Sequence, residues 1–309
     1  MDAGEGRRRQ TNMQDVSEVR RGVAYAAGSY VLWGIIPVFW KLLSQFSTSE
    51  ILVFRIVGTV VFAGAVAALL RRGSQIAEVT RNAKAILALI ISALLIGGNW
   101  WLFVWSVNND RILETSLGYF INPLVSIVLG VAVLGERLNA WQMAAIGIAC
   151  LGVINQAVAA GVLPWISLTL AVSFALYGLV RKQVAVASLD GLLVETTLLL
   201  PLTLGYLLLL TGQGQSQFLE TSLGNQALLL LAGPVTAVPL LLFAAGVRRV
   251  RLSTMGFLQY IAPSLSMLVA VFVYAEPFTS AHAVTFGLIW TALAIVSVDA
   301  LRRERYSAA

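Results

Sequence analysis

The sequence predicts an all-α membrane protein of ten transmembrane helices, arranged as two inverted halves of five helices each. Three observations support this prediction: an apolar composition, ten apolar runs of membrane-spanning length, and an internal repeat. Of the 309 residues, 58% are hydrophobic and 12% are charged, and the mean hydropathy is +0.83. Soluble domains carry roughly 25% charged residues, so water is a poor solvent for most of this chain.

Ten apolar runs are separated by charge clusters and short polar loops. A helix needs about 20 residues to cross the hydrocarbon core of a bilayer, and each run approaches that length. The first run follows an Arg-rich stretch without a small-residue cleavage pattern, so we interpret it as a span rather than a signal peptide. The predicted spans are 22–41, 49–69, 85–107, 114–134, 140–158, 165–180, 191–211, 226–247, 253–275 and 282–299.

The basic residues predict the orientation of these spans. If the N-terminus is cytoplasmic, all Lys and Arg residues except Lys41, Arg55 and Arg111 fall in cytoplasmic segments. This bias follows the positive-inside rule, and an even number of spans returns the C-terminus to the cytoplasm. The same distribution explains the net charge of +6, so nucleic acid is not an expected partner.

A sixteen-residue segment occurs twice in related form. INPLVSIVLGVAVLGE (121–136) and IAPSLSMLVAVFVYAE (261–276) share Ile, Pro, Ser, two Val and the final Glu at a spacing of 140 residues. Phe103 and Phe243 keep this spacing, and SYVLWG (29–34) resembles SFALYG (173–178). The chain is therefore divided into an N-terminal tail (1–21), a first five-helix repeat (22–158), a second five-helix repeat (164–299) and a C-terminal tail (300–309).

An odd number of spans in each half predicts that the halves are inverted. The second half must enter the membrane from the opposite side, so the two are related by a pseudo-two-fold axis in the membrane plane. This architecture recurs among secondary transporters, which bind substrate between the halves near the membrane midplane. Duplication can also produce a scaffold without a transport role, so the polar residues within the spans carry the functional argument.

The predicted spans contain few acidic or basic residues, because charge is costly there and usually faces the protein interior. Arg55 lies about a turn and a half into the second span, and its guanidinium fork suits a carboxylate or phosphate; snorkelling towards the membrane surface is the alternative. Glu195, early in the seventh span, is a candidate for a coupling proton or a structural partner for an arginine. Glu50 is expected to complement a helix dipole.

Prolines and polar residues together indicate the substrate site. Pro123 and Pro263 each remove a backbone hydrogen bond within a span and tend to kink it. Amide and aromatic residues precede both prolines, and Trp33 and Tyr177 occupy matched positions in the two halves. The predicted substrate-binding residues are Trp33, Arg55, Asn99, Trp100, Tyr119, Asn122, Tyr177, Gln259 and Tyr260.

Glu136 and Glu276 end their helices and are expected to organise the following turns, while Asn139 and Gln142 have capping-box spacing for the next helix. Cys150 and His282 are the only Cys and the only His, so no metal site or other cofactor is expected. No P-loop motif is present, which argues against ATP as a partner. The absence of G-x-S-x-G and H-E-x-x-H motifs argues against an enzyme.

Several segments resemble the RarD-type branch of the EamA family, in the drug/metabolite transporter superfamily. They include AYAAGSYVLWGIIPVFWKLL, SEILVFRIV, LTLAVSFALYGLVRKQ, GFLQYIAPSLSMLVAVFVYAEPF and the stretch from GNWWLFVW to GERLNAWQ. The resemblance implies a ten-helix permease of the bacterial inner membrane, with two EamA repeats and both termini cytoplasmic. It also implies an association with chloramphenicol sensitivity, which is a phenotype rather than a substrate. The family often has His where Phe54 stands here.

The leading functional hypothesis is a secondary transporter that moves a small organic metabolite or drug through a central cavity by alternating access. Its partners would be that small molecule and the lipid bilayer, and any coupling would use a proton gradient or substrate exchange. A lipid-handling, flippase-type protein and a non-transporting membrane scaffold are the alternatives.

Overall fold

The computed structural model describes residues 3–108, 112–161, 165–214, 217–218, 220–275 and 278–308, and in these ranges the chain forms α-helices without a strand. The side chains of residues 3–16 and of several helix-end residues lie outside this description. The described helices are α1 (Ala3–Leu42), α2 (Thr48–Leu69), α3 (Gly73–Arg81), α4 (Ala83–Asn108), α5 (Ile112–Ala132), α6 (Ala140–Ala160), α7 (Trp165–Gln183), α8 (Ser188–Gly212), α9 (Leu223–Val247), α10 (Leu252–Gln259), α11 (Ile261–Tyr274) and α12 (Ser280–Ala308).

Eight segments of the described chain are long and apolar enough to cross a membrane, and residues 118–132 form a shorter apolar helix. The eight are Ser17–Leu42, Ser49–Leu69, Ala83–Phe103, Ala140–Ala159, Ser188–Gly212, Leu223–Val247, Leu252–Phe272 and Ser280–Asp299. Helix α7 covers the predicted run 165–180 but is not among them. The predicted all-α membrane class is thus confirmed, whereas the count of ten spans stays a prediction.

Local side-chain chemistry explains where several helices begin and end. The Ser47 hydroxyl accepts a hydrogen bond from Glu50 N at 3.2 Å and caps α2. The capping box predicted for α6 is confirmed: Asn139 Oδ1 accepts from Gln142 N at 2.8 Å, and Gln142 Oε1 accepts from Asn139 N at 3.1 Å. Helix α6 ends at Gly161, whose φ of +66° is a left-handed conformation that glycine adopts without a Cβ penalty.

The two repeated prolines lie in different surroundings. Pro123 lies inside the continuous helix α5. The segment that contains Pro263 is interrupted at Tyr260, which separates α10 from α11. Proline cannot donate a hydrogen bond to the carbonyl four residues earlier, here Gln259, and the break falls at that point. The sequence predicted a kink in both halves, and only the second shows an interruption of the helix.

Three features of the helices were not predicted from the sequence. Helix α1 begins at Ala3, within the predicted N-terminal tail, and α12 continues through the predicted C-terminal tail. The short helix α3 follows the second span, and none of its residues is buried.

Helix packing places α5 and α10 against each other at the centre of the described bundle. Helix α1 packs on α9, α10 and α11, while α7 packs on α4 and α5. Helix α2 contacts both α8 and α9, and α6 pairs with α12. The main buried clusters lie along these contacts: one involves α1, α4, α7, α9 and α10, and another joins α5, α6, α10 and α12.

Helices α2 and α9 approach so closely that their backbones touch. A Cβ on Gly233 would overlap the backbone of Gly58, and a Cβ on Gly58 would lie 3.0 Å from the Gly233 Cα. The Thr59 hydroxyl donates a hydrogen bond to Gly233 O at 3.2 Å across this contact. Only glycine permits such an approach.

Polar contacts tie together four segments at one end of the bundle, three of which carry basic residues. We call their end of the bundle the basic end; it comprises segments 70–82, 133–139, 184–187 and 248–251. Arg72 forms a salt bridge with Asp190, Arg248 donates to Val186 O at 2.7 Å, and Arg251 donates to Arg137 O at 2.5 Å. These contacts place the connected loops at one end, as alternating helix directions require.

Candidate functional site

A small cleft opens between α4, α5 and α7, in the halves of these helices farther from the basic end. Its cavity volume is about 30 Å³, and the value rises to about 270 Å³ only when the adjoining open space is included. Its lining combines aromatic rings with amide and hydroxyl groups. The described lining residues are Asn99, Phe103, Thr115, Gly118, Tyr119, Asn122, Leu170 and Phe174.

Three of the predicted substrate-binding residues, Asn99, Tyr119 and Asn122, line this cleft. Asn99 Nδ2 donates to Leu170 O and to Ser173 Oγ, both at 2.9 Å, which joins α4 to α7 and holds the amide in place. Asn122 is buried, and its Oδ1 accepts a hydrogen bond from Ser126 Oγ at 3.4 Å. Tyr119 is 51% exposed and lies near Phe103, with ring centroids 6.2 Å apart.

Arg55 lies beside the cleft, between two tryptophans. Its guanidinium carbon is 4.2 Å from the ring centroid of Trp100 and 5.5 Å from that of Trp40. It is also close enough to the Tyr119 phenol for the two groups to interact electrostatically. Arg55 Nε is buried without a hydrogen-bond partner, and no residue in the described parts of the chain accepts a hydrogen bond from this side chain. Arg55 and Trp100, both predicted to bind substrate, therefore lie together next to the cleft.

Towards the basic end the cleft is closed by a cluster of aromatic rings. Phe243 lies at the centre, with its ring centroid 5.3 Å from Phe174, 5.7 Å from Trp33 and 5.8 Å from Tyr177. Tyr30 completes the cluster at 6.3 Å from Phe243. Phe243, Tyr177 and Tyr30 are each at most 2% exposed. The predicted residues Trp33 and Tyr177 thus belong to the floor of the cleft rather than to its walls.

Gln259 and Tyr260 lie apart from the cleft lining, at the end of α10. Both are buried, and the Tyr260 hydroxyl donates to Phe120 O at 3.3 Å in the cluster where α5, α6, α10 and α12 meet. Their predicted role in substrate binding stays a prediction, and their position favours packing instead.

Glu195 forms a buried ion pair. Its Oε1 lies 3.4 Å from Arg181 Nη1 and accepts a hydrogen bond from Ser92 Oγ at 2.5 Å. Glu195 and Arg181 are 1% and 0% exposed. Of the two roles that the sequence left open for Glu195, this geometry favours the structural partner of an arginine, and the coupling role stays a prediction.

Glu136 joins the turn after α5 to the start of α10. Its carboxylate accepts hydrogen bonds from Leu252 N at 2.6 Å, Ser253 N at 2.9 Å and Ser253 Oγ at 2.6 Å. Burial opposes ionisation, but these hydrogen bonds and Arg251 outweigh it, so the pKa of Glu136 lies below its ordinary value. The role predicted for Glu136 was local to its own turn, and the structure adds a contact with the second half. Glu276, its repeat counterpart, lies outside the described residues.

Two groups of functional side chains escaped the sequence-based prediction. Phe103 and Phe174 line the cleft, Phe243 packs against Phe174, and Trp40 lies near Arg55; aromatic residues in apolar runs cannot be distinguished by sequence from ordinary core residues. Arg181 was assigned only to the basic residues of a cytoplasmic loop, although it is fully buried. Glu195, at a similar depth in the next helix, was the one available signal for it. Within the described chain no group of three His, Cys, Asp or Glu residues has a metal-binding arrangement.

The chain resembles known membrane proteins along most of its length. Residues 20–155 match the EamA-like transporter family. The chain is 45% identical over 291 residues to Protein RarD of Escherichia coli, covering 94% of this chain and 98% of that protein. It is 44% identical over 294 residues to the uncharacterized transporter YojE of Bacillus subtilis, again over 94% and 98% of the two chains. A crystal structure with 18% identity shares the fold, with a TM-score of 0.65 over 92% of this chain and 98% of the other.

Proposed function

Because the chain belongs to the RarD-type branch of the EamA-like transporter family, we propose that it is a secondary transporter that moves a small organic metabolite or drug across the bacterial inner membrane. In this proposal ten spans form two inverted five-helix repeats, and the solute passes between them by alternating access. The association of the branch with chloramphenicol sensitivity makes that antibiotic a candidate substrate.

The pattern of helix packing supports inverted repeats. If α1, α2, α4, α5 and α6 correspond to α7, α8, α9, α10–α11 and α12, the main contacts are exchanged in pairs. The contact of α1 with α9 matches that of α7 with α4, and the contact of α2 with α9 matches that of α8 with α4. The pairs α2–α8, α5–α10 and α6–α12 correspond to themselves. Such exchange is what a two-fold axis between the halves would produce.

The observation that carries the proposal is a difference between two equivalent places. Phe103 lines the open cleft between α4, α5 and α7. Its repeat counterpart, Phe243, is 2% exposed and is packed among rings of α1 and α7. One of the two half-channels is therefore open while the other is closed, as expected for one state of an alternating-access cycle.

The distribution of charge supports the direction of this opening. With the basic end in the cytoplasm, the closed cluster faces inward and the cleft faces outward. The polar contacts at the basic end would then hold the cytoplasmic side shut. Any coupling would use a proton gradient or substrate exchange.

A flux experiment tests the proposal. Purified protein is first screened by thermal shift against amino acids, organic acids, sugars and chloramphenicol, because a ligand that binds the folded state raises its stability. Stabilising solutes are then assayed by counterflow in proteoliposomes. We expect Asn122→Leu and Tyr119→Phe to slow flux by about tenfold, since each removes a polar group of the cleft worth about 1–2 kcal/mol. Tyr206→Phe, which changes an exposed tyrosine on α8 outside the cleft lining, serves as the control.

The alternatives give different outcomes. Counterflow no faster than in protein-free vesicles, for every stabilising solute, would exclude a transporter of these solutes and favour a scaffold. Accelerated transfer of a fluorescent phospholipid between the leaflets would instead favour the lipid-handling function.

A further inference from the structure

We propose that the cleft binds the carboxylate of a small aromatic or otherwise apolar monocarboxylic acid, with Arg55 as its counter-ion. This inference rests on the proposed transport function and names the class of substrate. It follows from the charge beside the cleft, the surroundings of the guanidinium and the remaining lining.

The positive charge of Arg55 has no negative partner among the described residues. Arg181, which is fully buried, has Glu195 at 3.4 Å, whereas Arg55 is partly exposed with a buried Nε and has no such partner. A charge taken out of water is costly unless it is paired. The buried carboxylate of Glu50, five residues earlier on α2, accepts hydrogen bonds from Gln217 N and Phe218 N instead, both at 2.9 Å. An anion from outside the protein would supply the missing partner.

The two tryptophans leave the donors of Arg55 available. A ring over the face of a guanidinium interacts with its charge but takes none of its N–H groups, because these lie in the guanidinium plane. Trp100, at 4.2 Å, and Trp40, at 5.5 Å, therefore hold the group in place without satisfying its donors. Two parallel N–H groups of such a fork match the two oxygens of a carboxylate.

The number of charges favours a carboxylate over a phosphate. No Lys, Arg or carboxylate occurs among the described residues that line the cleft, so Arg55 contributes a single positive charge there. One carboxylate neutralises this charge, whereas a phosphate ester carries up to two negative charges at neutral pH. The second charge of a phosphate would remain unpaired in a poorly solvated site.

The rest of the lining suits an apolar body. Phe103, Tyr119 and Phe174 present rings to the cleft, and Leu170 adds an aliphatic side chain. The nitrogen of Asn99 is already used by α7. Its Oδ1 has no hydrogen-bond partner in the described chain, which leaves one acceptor for a donor group on the solute.

The experiment compares four ligands of similar shape that differ in charge: phenylacetate, phenylacetamide, phenethylamine and phenyl phosphate. Their binding to the purified full-length protein is measured by calorimetric titration in detergent. We expect phenylacetate to bind at least about tenfold more tightly than phenylacetamide, because a charge-assisted pair is lost with the amide. Phenethylamine is expected to bind more weakly still, and phenyl phosphate more weakly than phenylacetate.

Variants of Arg55 test whether this residue causes the preference for phenylacetate over phenylacetamide. Arg55→Gln is expected to abolish the preference for the acid over the amide, and Arg55→Lys to retain the charge but reduce the preference severalfold, since the fork is lost. Lys41→Gln is the matched control, because Lys41 is an exposed cation at the same end of the bundle, placed over Tyr274. It should leave the preference unchanged. The unliganded thermal midpoint reports whether each variant is folded, and the comparison of the four ligands needs no variant.

Equal binding of acid and amide, a preference that survives Arg55→Gln in folded protein, or no binding of phenylacetate would each overturn the inference. Tighter binding of phenyl phosphate would replace carboxylate by phosphate as the ligand class and overturn it as well.

Failure of the proposed transport function would give a different set of results. If phenylacetate binds through Arg55 but neither it nor any screened solute is moved in counterflow, the anion site stands and transport does not. If neutral solutes are moved without a preference for acids, transport stands and the anion site does not.

Discussion

Phe103 of the cleft and Phe243 of the aromatic cluster match in the sequence repeat, but the first borders open space and the second is closely packed. The cleft lies between α4, α5 and α7, whereas the rings of the cluster come from α1, α7 and α9. Phe103 and Phe243 stand 140 residues apart in the repeat, yet only Phe243 touches four other aromatic rings. Two phenylalanines that match in the sequence repeat therefore differ in how closely the neighbouring helices pack around them.

Residues at matching positions of the sequence repeat also differ in polarity. Asn99, Tyr119 and Asn122 of the cleft correspond to Pro239, Gln259 and Ala262 at the same spacing. Pro239 and Gln259 are buried. The closed side thus has fewer polar groups to hydrate, which lowers the free energy of packing its helices together.

The largest expected effect comes from matched truncations of the two phenylalanines. Phe243→Ala should lower the free energy of unfolding by about 3–5 kcal/mol, because it leaves a cavity among closely packed rings. Phe103→Ala should cost less than about 1 kcal/mol, since its ring borders open space. Chemical or thermal denaturation in detergent measures both values. Similar losses at the two positions would contradict the distinction between an open and a closed side.

The buried ion pair on the closed side should give the next largest effect. Glu195→Gln leaves the Arg181 charge in a dry environment and is expected to destabilise the protein by about 3 kcal/mol. Replacing both partners, as in Arg181→Met with Glu195→Leu, should recover most of this loss because no charge then remains buried. The free energies of unfolding of the single and double variants decide the point. If the double variant is stable but loses only proton-dependent flux, Glu195 has a coupling role in addition.

The smallest effect concerns the contact between Glu136 and α10. Glu136→Gln should cost about 1–2 kcal/mol at neutral pH, because charged acceptors at a helix start are replaced by a neutral one. Since the folded-state pKa of Glu136 is lowered, its contribution is full above the ordinary carboxyl pKa of about 4.3 and is lost as the pH falls through the lower folded value.

Unfolding measured from pH 7 down to pH 3 checks this sign. The difference between wild type and Glu136→Gln should shrink at the acidic end. Leu252 and Ser253 begin α10 on the closed side, so the variant should also expose that side more often. A difference in stability that grows on acidification would show that Glu136 is not held as a carboxylate by these contacts.

The fold class and the line of polar residues beside the cleft follow from the sequence because both depend on short-range patterns. Apolar run length determines where helices form, and Arg55, Asn99 and Tyr119 stand out as polar or charged groups inside such runs. The contact of Trp40 with Arg55 was not predicted, because a Trp near the end of a span is usually an interfacial anchor. Its contact with Arg55 arises only when α1 and α2 turn back on each other through the short segment 43–47.

The floor of the cleft was beyond sequence reasoning for a different reason. Trp33 and Tyr177 were predicted to contact substrate because they match in the repeat, whereas the structure packs them around Phe243. Matched positions identify equivalent places but not which of them is exposed in a given state. Gln259 and Tyr260 illustrate the same limit, since a residue before a helix break can face either the cavity or a neighbouring helix.

The bare backbone contact between Gly58 and Gly233 limits how α2 and α9 can move relative to each other. At this point no side chain separates the backbones of the two helices. Sliding α2 along α9 would force peptide groups of one helix against those of the other. The two helices are therefore expected to move together as one rigid unit. Any conformational change must then occur at other helix contacts in the bundle.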